Sequence, residues 1–134
     1  MANIPIGTKL EHSIQVTGDV AISFLGAEGA RVLSTPHMIG LMEITCRNAV
    51  LPFLEPGYDT VGTQVNIAHL AATPIGMNVT FRAEVLSVDG RRINFRVQAF
   101  DEQETIGEGT HQRAIIDVGR FTEKMKMKAP HRSG

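Results

Sequence analysis

The chain has no tryptophan, and its aromatic content is only 5% of 134 residues. That leaves little to stack nucleic-acid bases on. Positive charge is not in excess either. Thirteen Lys and Arg stand against fourteen Asp and Glu, for a formal net charge of -1. Such a balance lacks the domain-wide cationic surplus that neutralises phosphates, so a nucleic-acid partner is not expected. No apolar run is long enough to cross a bilayer. The opening MANIPIGTKL lacks a basic region followed by an apolar core, so no signal peptide is expected. The one cysteine, Cys46, has no intrachain partner, and no Cys/His group has zinc-type spacing. These absences read as a cytoplasmic protein without a metal centre or a membrane partner.

What is present is a chain 43% hydrophobic, suited to a single globular domain over residues 1–134. Residues 8–16 alternate apolar with polar, which predicts a half-buried strand. Residues 17–34 are Gly-containing and aperiodic, and read as a loop. The run TPHMIGLMEITCRNAVLP over 35–52 predicts a helix. Thr35 can cap its start, Pro36 suits the first helical position, and Pro52 and Pro56-Gly57 mark its end. Apolar side chains cover nearly all of this helix, as expected of a buried one. Only Glu43, Arg47 and Asn48 interrupt it.

Four strand-like stretches rich in Val, Ile, Thr and Phe follow, at 60–71, 77–89, 91–102 and 104–118. Asp89-Gly90 joins the second to the third as a hairpin signal, and a turn around Gln103 joins the third to the fourth. Residues 119–128 predict a short helix. The order strand, long apolar helix, four antiparallel strands gives an α+β protein with the helix covering one face of a sheet.

Glu43 is the conspicuous residue, because a carboxylate within an apolar helix is costly to bury without a partner. Such surroundings tend to raise a carboxyl pKa and make it a better base near neutrality. It can instead pair with Arg47, four residues on. His69 shares a strand face with Val65 and Ile67, which suits either a core histidine or a proton carrier. His111 and Arg113 share a face of the last strand with Gly107 and Gly109, where something bulky, such as the helix, can pack. Arg113 reads as an interior ion pair, a solvated edge, or a group reaching Glu43 or a ligand's phosphates. Cys46 reads as a small core hydrophobe.

The stretches TPHMIGLMEITCRNAVLPFLEPG, VGTQVNIAHLAATPIGM, VDGRR and IGEGTHQRAII, in this order over residues 33–118, resemble the fluoroacetyl-CoA thioesterase-like branch of the hotdog thioesterases. The resemblance implies the hotdog fold, a long central helix wrapped by a curled antiparallel β-sheet. It also implies hydrolysis of an acyl-CoA thioester without a metal or other cofactor, coenzyme A entering as part of the substrate. It further implies a homodimer, or a dimer of dimers, with active sites at the subunit interface. Its catalytic Thr, Glu and His fall on Thr35, Glu43 and His69. Gly62 falls near the substrate carbonyl, and His37 on a position that is aromatic in the best-known family member, so it is expected to line the pocket. Arg113 is the third residue expected to contact substrate. Thioester hydrolysis needs a carboxylate to attack or to activate water, and donors to hold the developing oxyanion, so these residue types fit. The tail KMKMK at 124–128 and Arg91-Arg92 are both candidates for the phosphates of coenzyme A.

One feature of the family is missing. The aromatic lid ahead of the helix is replaced by FLGAEGARVLS, and Pro36 follows the expected catalytic Thr35. A small-to-medium acyl-CoA is therefore expected as substrate, without fluoroacetyl selectivity. Two other functions stand beside this one. An enoyl-CoA hydratase of the same fold resembles hotdogs with an Asp and a His five residues apart, and none of Asp19, Asp59, Asp89, Asp101 or Asp117 has one. A non-catalytic acyl-CoA-binding or regulatory protein would have no need of a buried carboxylate.

Overall fold

The computed structural model describes residues 3–131. Strand β1 (Lys9–Gln15) leads through an irregular stretch to helix α1 (Thr35–Val50). Strands β2 (Tyr58–His69), β3 (Asn78–Asp89), β4 (Arg92–Phe100) and β5 (Thr105–Asp117) follow, and helix α2 (Val118–Lys128) closes the order. The strands form one antiparallel sheet in the order β1-β3-β4-β5-β2. Each expected element is present, with ends displaced by one or two residues. The expected half-buried first strand is the exception in character. β1 is an edge strand, and five of its seven residues are exposed.

Alternation explains the sheet. In β4, Ile93, Phe95, Val97 and Ala99 point inward, and in β3 Val79, Phe81, Ala83 and Val85 do the same. Helix α1 lies on that face and buries Met38, Met42, Cys46 and Val50 against it. Irregularities at Gly62–Gln64, Val85–Ser87 and Ala99–Phe100 bend three of the strand pairs, and bulges of this kind curl a sheet around what it covers. The helix wrapped by a curled antiparallel sheet is the expected hotdog arrangement.

Gly107 is where helix and sheet meet. A Cβ there would lie 2.8 Å from the Met38 sulfur, so the helix is the bulky neighbour expected on this strand. Gly109 has a different reason. A Cβ there would fall 2.0 Å from the Asn66 carbonyl oxygen, so it is β2, not the helix, that approaches. The turn around Gln103 is built by Asp101, whose carboxylate accepts from the backbone N–H of Gln103 and Glu104 at 2.8 and 2.9 Å.

The start of α1 differs from expectation in a way that matters for the site. Ser34, not Thr35, is the N-cap, and its hydroxyl accepts from the backbone N–H of His37. Ser34 has the extended backbone that a cap requires, whereas Thr35 is already helical. The Thr35 hydroxyl is therefore free for another partner.

Candidate active site

Two clusters form along α1 and β2. In the first, the Thr35 hydroxyl lies 2.7 Å from Nδ1 of His69, which joins the helix start to the end of β2. The other ring nitrogen, Nε2, is buried and has no hydrogen-bond partner among the described residues. An orphaned buried nitrogen is unusual and marks a place where a ligand or water belongs. Burial lowers the His69 pKa, and the nearby Ala71 backbone offsets part of that.

The second cluster surrounds Gly62. The point that a Gly62 Cβ would occupy lies 3.2 Å from His111 Cε1, 3.5 Å from Arg113 Nη1 and 3.6 Å from Glu43 Oε2. Glu43 and Arg113 thus face the same small space without making an ion pair. The sheet prepares this space with a bulge. Gly62 pairs with Arg113 and Gln64 with Gln112, so Thr63 is an extra residue in β2.

Arg113 is 6% exposed, so it is not a solvated edge. Its Nε donates to Thr60 Oγ1 at 2.7 Å, Nη2 to the Thr60 carbonyl at 2.9 Å, and Nη1 to His111 Nε2 at 3.1 Å. Burial lowers its pKa, and the opposite charge of Glu43 resists that most strongly. Glu43 has no hydrogen bond with Arg47. Arg47 instead grips Asp59 at 2.6 and 2.9 Å, and through that hydrogen bond holds the Asp59 carboxyl below the usual carboxylate range. The i, i+4 pair expected as the bland role of Glu43 is therefore absent, and the carboxylate stays available. Cys46 is fully buried and its thiol is pushed up to about 12, chiefly by burial, as befits a core hydrophobe.

His111 is the functional candidate that sequence reasoning did not single out. Its place on the Arg113 face was legible, but its ring contacts depend on how β2 bulges. His37 is exposed, and its Nδ1 contacts the capping Ser34 hydroxyl, so it serves the helix start. Arg91, Arg120 and Lys124 line one surface cleft with Asp117, which brings one residue from each of the two expected phosphate-binding stretches together. Ahead of the helix, Arg31 ties down the segment in the lid position by donating to the carbonyls of Gly18 and Ile22. Its one aromatic, Phe24, is 80% exposed.

The model of the fluoroacetyl-CoA-specific thioesterases matches residues 16–119. The chain belongs to this family. The match begins ahead of the motif-bearing stretches and takes in the loops before α1. A fluoroacetyl-CoA thioesterase from Streptantibioticus cattleyicolor is 47% identical over 104 residues, 78% of this chain and 75% of that protein. The solved structure of the fluoroacetyl-CoA thioesterase FlK superposes with a TM-score of 0.87 at 39% identity, covering 96% of this chain and 99% of that one. A variant of FlK in complex with fluoroacetate and CoA is 41% identical, with a TM-score of 0.80 over 87% of this chain and 98% of that one. The expected fold and the expected class, a hotdog thioester hydrolase, both stand.

Two histidines of this family member make its stability depend on pH. Burial lowers the folded-state pKa of both His69 and His111 from 6.5. As the pH falls, the unfolded chain takes up these protons first. Stability is therefore complete above about pH 6.5, declines below it, and levels off once the folded histidines also protonate. Thermal melts between about pH 8 and pH 5 will show Tm falling on acidification, and His111→Gln will flatten part of the fall. An unchanged slope in that variant would remove His111 from the linkage.

Proposed function

We propose that this protein hydrolyses a small-to-medium acyl-CoA thioester to the free acid and coenzyme A, as a cytoplasmic homodimer whose sites draw on both protomers. Glu43, His69 and Thr35 carry the chemistry, Gly62 and Arg113 flank the substrate carbonyl, and no metal or other cofactor takes part. The observation that carries this reading is the separation of the two clusters along one chain. Thr35 and Glu43 are eight residues apart on α1, about 12 Å of helix. His69 and Gly62 are seven residues apart on β2, roughly 20 Å of strand.

A second copy closes that gap. β2 is a sheet edge, and its residues 62–66 are exposed, including Val65 at 42%. A long exposed edge with an apolar residue at its middle invites another strand. Antiparallel pairing of two β2 strands about the point between Val65 and Asn66 sets Gly62 of one protomer opposite the partner's His69. Each site then receives Glu43, Gly62 and Arg113 from one protomer and the Thr35–His69 pair from the other.

The thioester carbonyl enters the space that Gly62 leaves open. Glu43 either takes a proton from the attacking water or attacks the carbonyl itself, giving an anhydride that water opens in a second step. In both routes water supplies the oxygen of the free acid, the C–S bond breaks, and the proton released by that water passes through the neutral His69 imidazole to the departed thiolate. The Gly62 N–H and the Arg113 guanidinium stabilise the oxyanion. Phosphates of coenzyme A meet the cleft of Arg91, Arg120 and Lys124. The exposed Phe24 leaves the acyl side without an aromatic lid, which favours acyl groups other than fluoroacetyl.

Free-thiol release across acyl-CoAs from acetyl to long-chain and aryl tests the reading, with sedimentation to read the assembly. Turnover that peaks at short or medium chains in a dimer is expected. Turnover by a species that stays monomeric at assay concentration would refute the shared site.

A further inference from the structure

His111 occupies the junction between the two strands that frame the site. It is 2% exposed and its ring stacks on Phe95, with centroids 6.2 Å apart. Both ring nitrogens are engaged. Nε2 lies 3.1 Å from Arg113 Nη1, and Nδ1 lies 2.8 Å from the Gln64 carbonyl oxygen. A guanidinium only donates, so Nε2 is the acceptor. A carbonyl only accepts, so Nδ1 carries the hydrogen. The two partners thus select one neutral tautomer, Nδ1–H, and a protonated ring would lose the bond from Arg113.

The two bonds have different addresses. Gln64 is the residue at which pairing resumes after the β2 bulge, two places from Gly62. Arg113 is the cation facing Glu43 across the Gly62 space. The imidazole edge itself, at Cε1, forms the floor of that space. The charged groups around the ring are Arg113 on its own strand and Glu43 on α1, while β4 packs the uncharged Phe95 ring against it.

We propose that His111 is a positioning residue for thioester hydrolysis: its two ring nitrogens clamp the β2 bulge to the Arg113 guanidinium and so fix the width of the space in which the reacting carbonyl is held opposite Glu43. This rests on the function proposed above, and it adds a residue that acts through others instead of touching the reacting atoms. Burial lowers the His111 pKa and keeps the ring in the neutral form that the clamp requires. The clamp also explains the glycine at 62. Any side chain there meets the imidazole before it reaches the substrate.

Three variants test this. His111→Phe keeps the stack on Phe95 and removes both hydrogen bonds. His111→Gln restores one donor and one acceptor on a single amide. Arg113→Lys removes the planar donor that the ring receives. In His111→Phe, kcat falls by about 50-fold with KM changed less than about threefold, because the loss appears only when the carbonyl must be held for attack. His111→Gln recovers most of that loss. His111→Phe combined with Arg113→Lys loses little more than the worse single variant, because both break one unit. Imidazole nitrogen NMR of the wild type shows the Nδ1–H tautomer at neutral pH. Equal losses in the Phe and Gln variants at matched Tm, additive effects in the double variant, or an Nε2–H tautomer would each overturn the clamp. The NMR arm reads without turnover, so an inactive protein would sink the proposed function while leaving the clamp to be judged on its own.

Discussion

Glu43→Gln will fold, assemble and bind acyl-CoA as the wild type does, and will release thiol about 10²–10⁴ times more slowly. Glutamine has the shape of glutamate without its charge, so packing along α1 is preserved. Among the described residues Glu43 makes no hydrogen bond that the amide would break, and Arg47 on the next turn is already held by Asp59. Arg113 loses its nearest opposite charge but keeps its bonds to Thr60 and His111. What disappears is the basic oxygen facing the Gly62 space. The loss therefore belongs in kcat with KM little changed, the pattern of a group needed only in the transition state. Steady-state kinetics with a matched Tm measures it. Comparable kcat values for the two proteins would remove Glu43 from the chemistry.

Gly62→Val will lower kcat/KM by about 10²-fold or more, through loss of space instead of loss of a reacting group. The added Cβ sits 3.2 Å from His111 Cε1, closer than ordinary contact, so the ring or the strand must yield. The two further methyls then enter the gap between Glu43 Oε2 and Arg113 Nη1. A carbonyl can no longer reach both. Because the bulge already interrupts pairing here, the strand yields locally and Tm falls modestly. A kinetic loss no greater than that of Leu86→Ala, an exposed residue on β3 away from the cluster, would show that Gly62 is only a packing glycine.

The fold was legible because its signals are local and agree with one another. The Pro36 start and the apolar content of residues 35–52 mark the helix, although only one side of it is buried and Ile44 stays 51% exposed, and β3 and β4 alternate cleanly on either side of Asp89-Gly90. Ser34 was missed as the cap because Ser-Thr-Pro offers two adjacent capping residues, and only backbone geometry separates them. Freed of that task, Thr35 meets His69, thirty-four residues away in sequence. Glu43 stood out as a carboxylate in an apolar helix, but its role, and those of His69 and Gly62, came from motif resemblance. Nothing in the sequence showed that they fall into two groups, because that depends on how α1 crosses β2. The His111 clamp was hidden for a related reason: it needs Thr63 to bulge so that the Gln64 carbonyl turns toward the ring. Arg47 shows the limit of helix spacing as a guide. The i, i+4 rule offered it Glu43, but Asp59 at the start of β2 gives it two oxygens in a bidentate fork.

The most direct measurement is a product balance on the wild-type protein. An acyl-CoA labelled in its acyl group is mixed in large excess, and free acid and free coenzyme A are counted per protomer over time. The expected result is many equivalents of both products, formed at equal rates. Saturable binding of acyl-CoA, with neither product accumulating, would contradict it and leave a hotdog protein that binds its ligand without hydrolysing it.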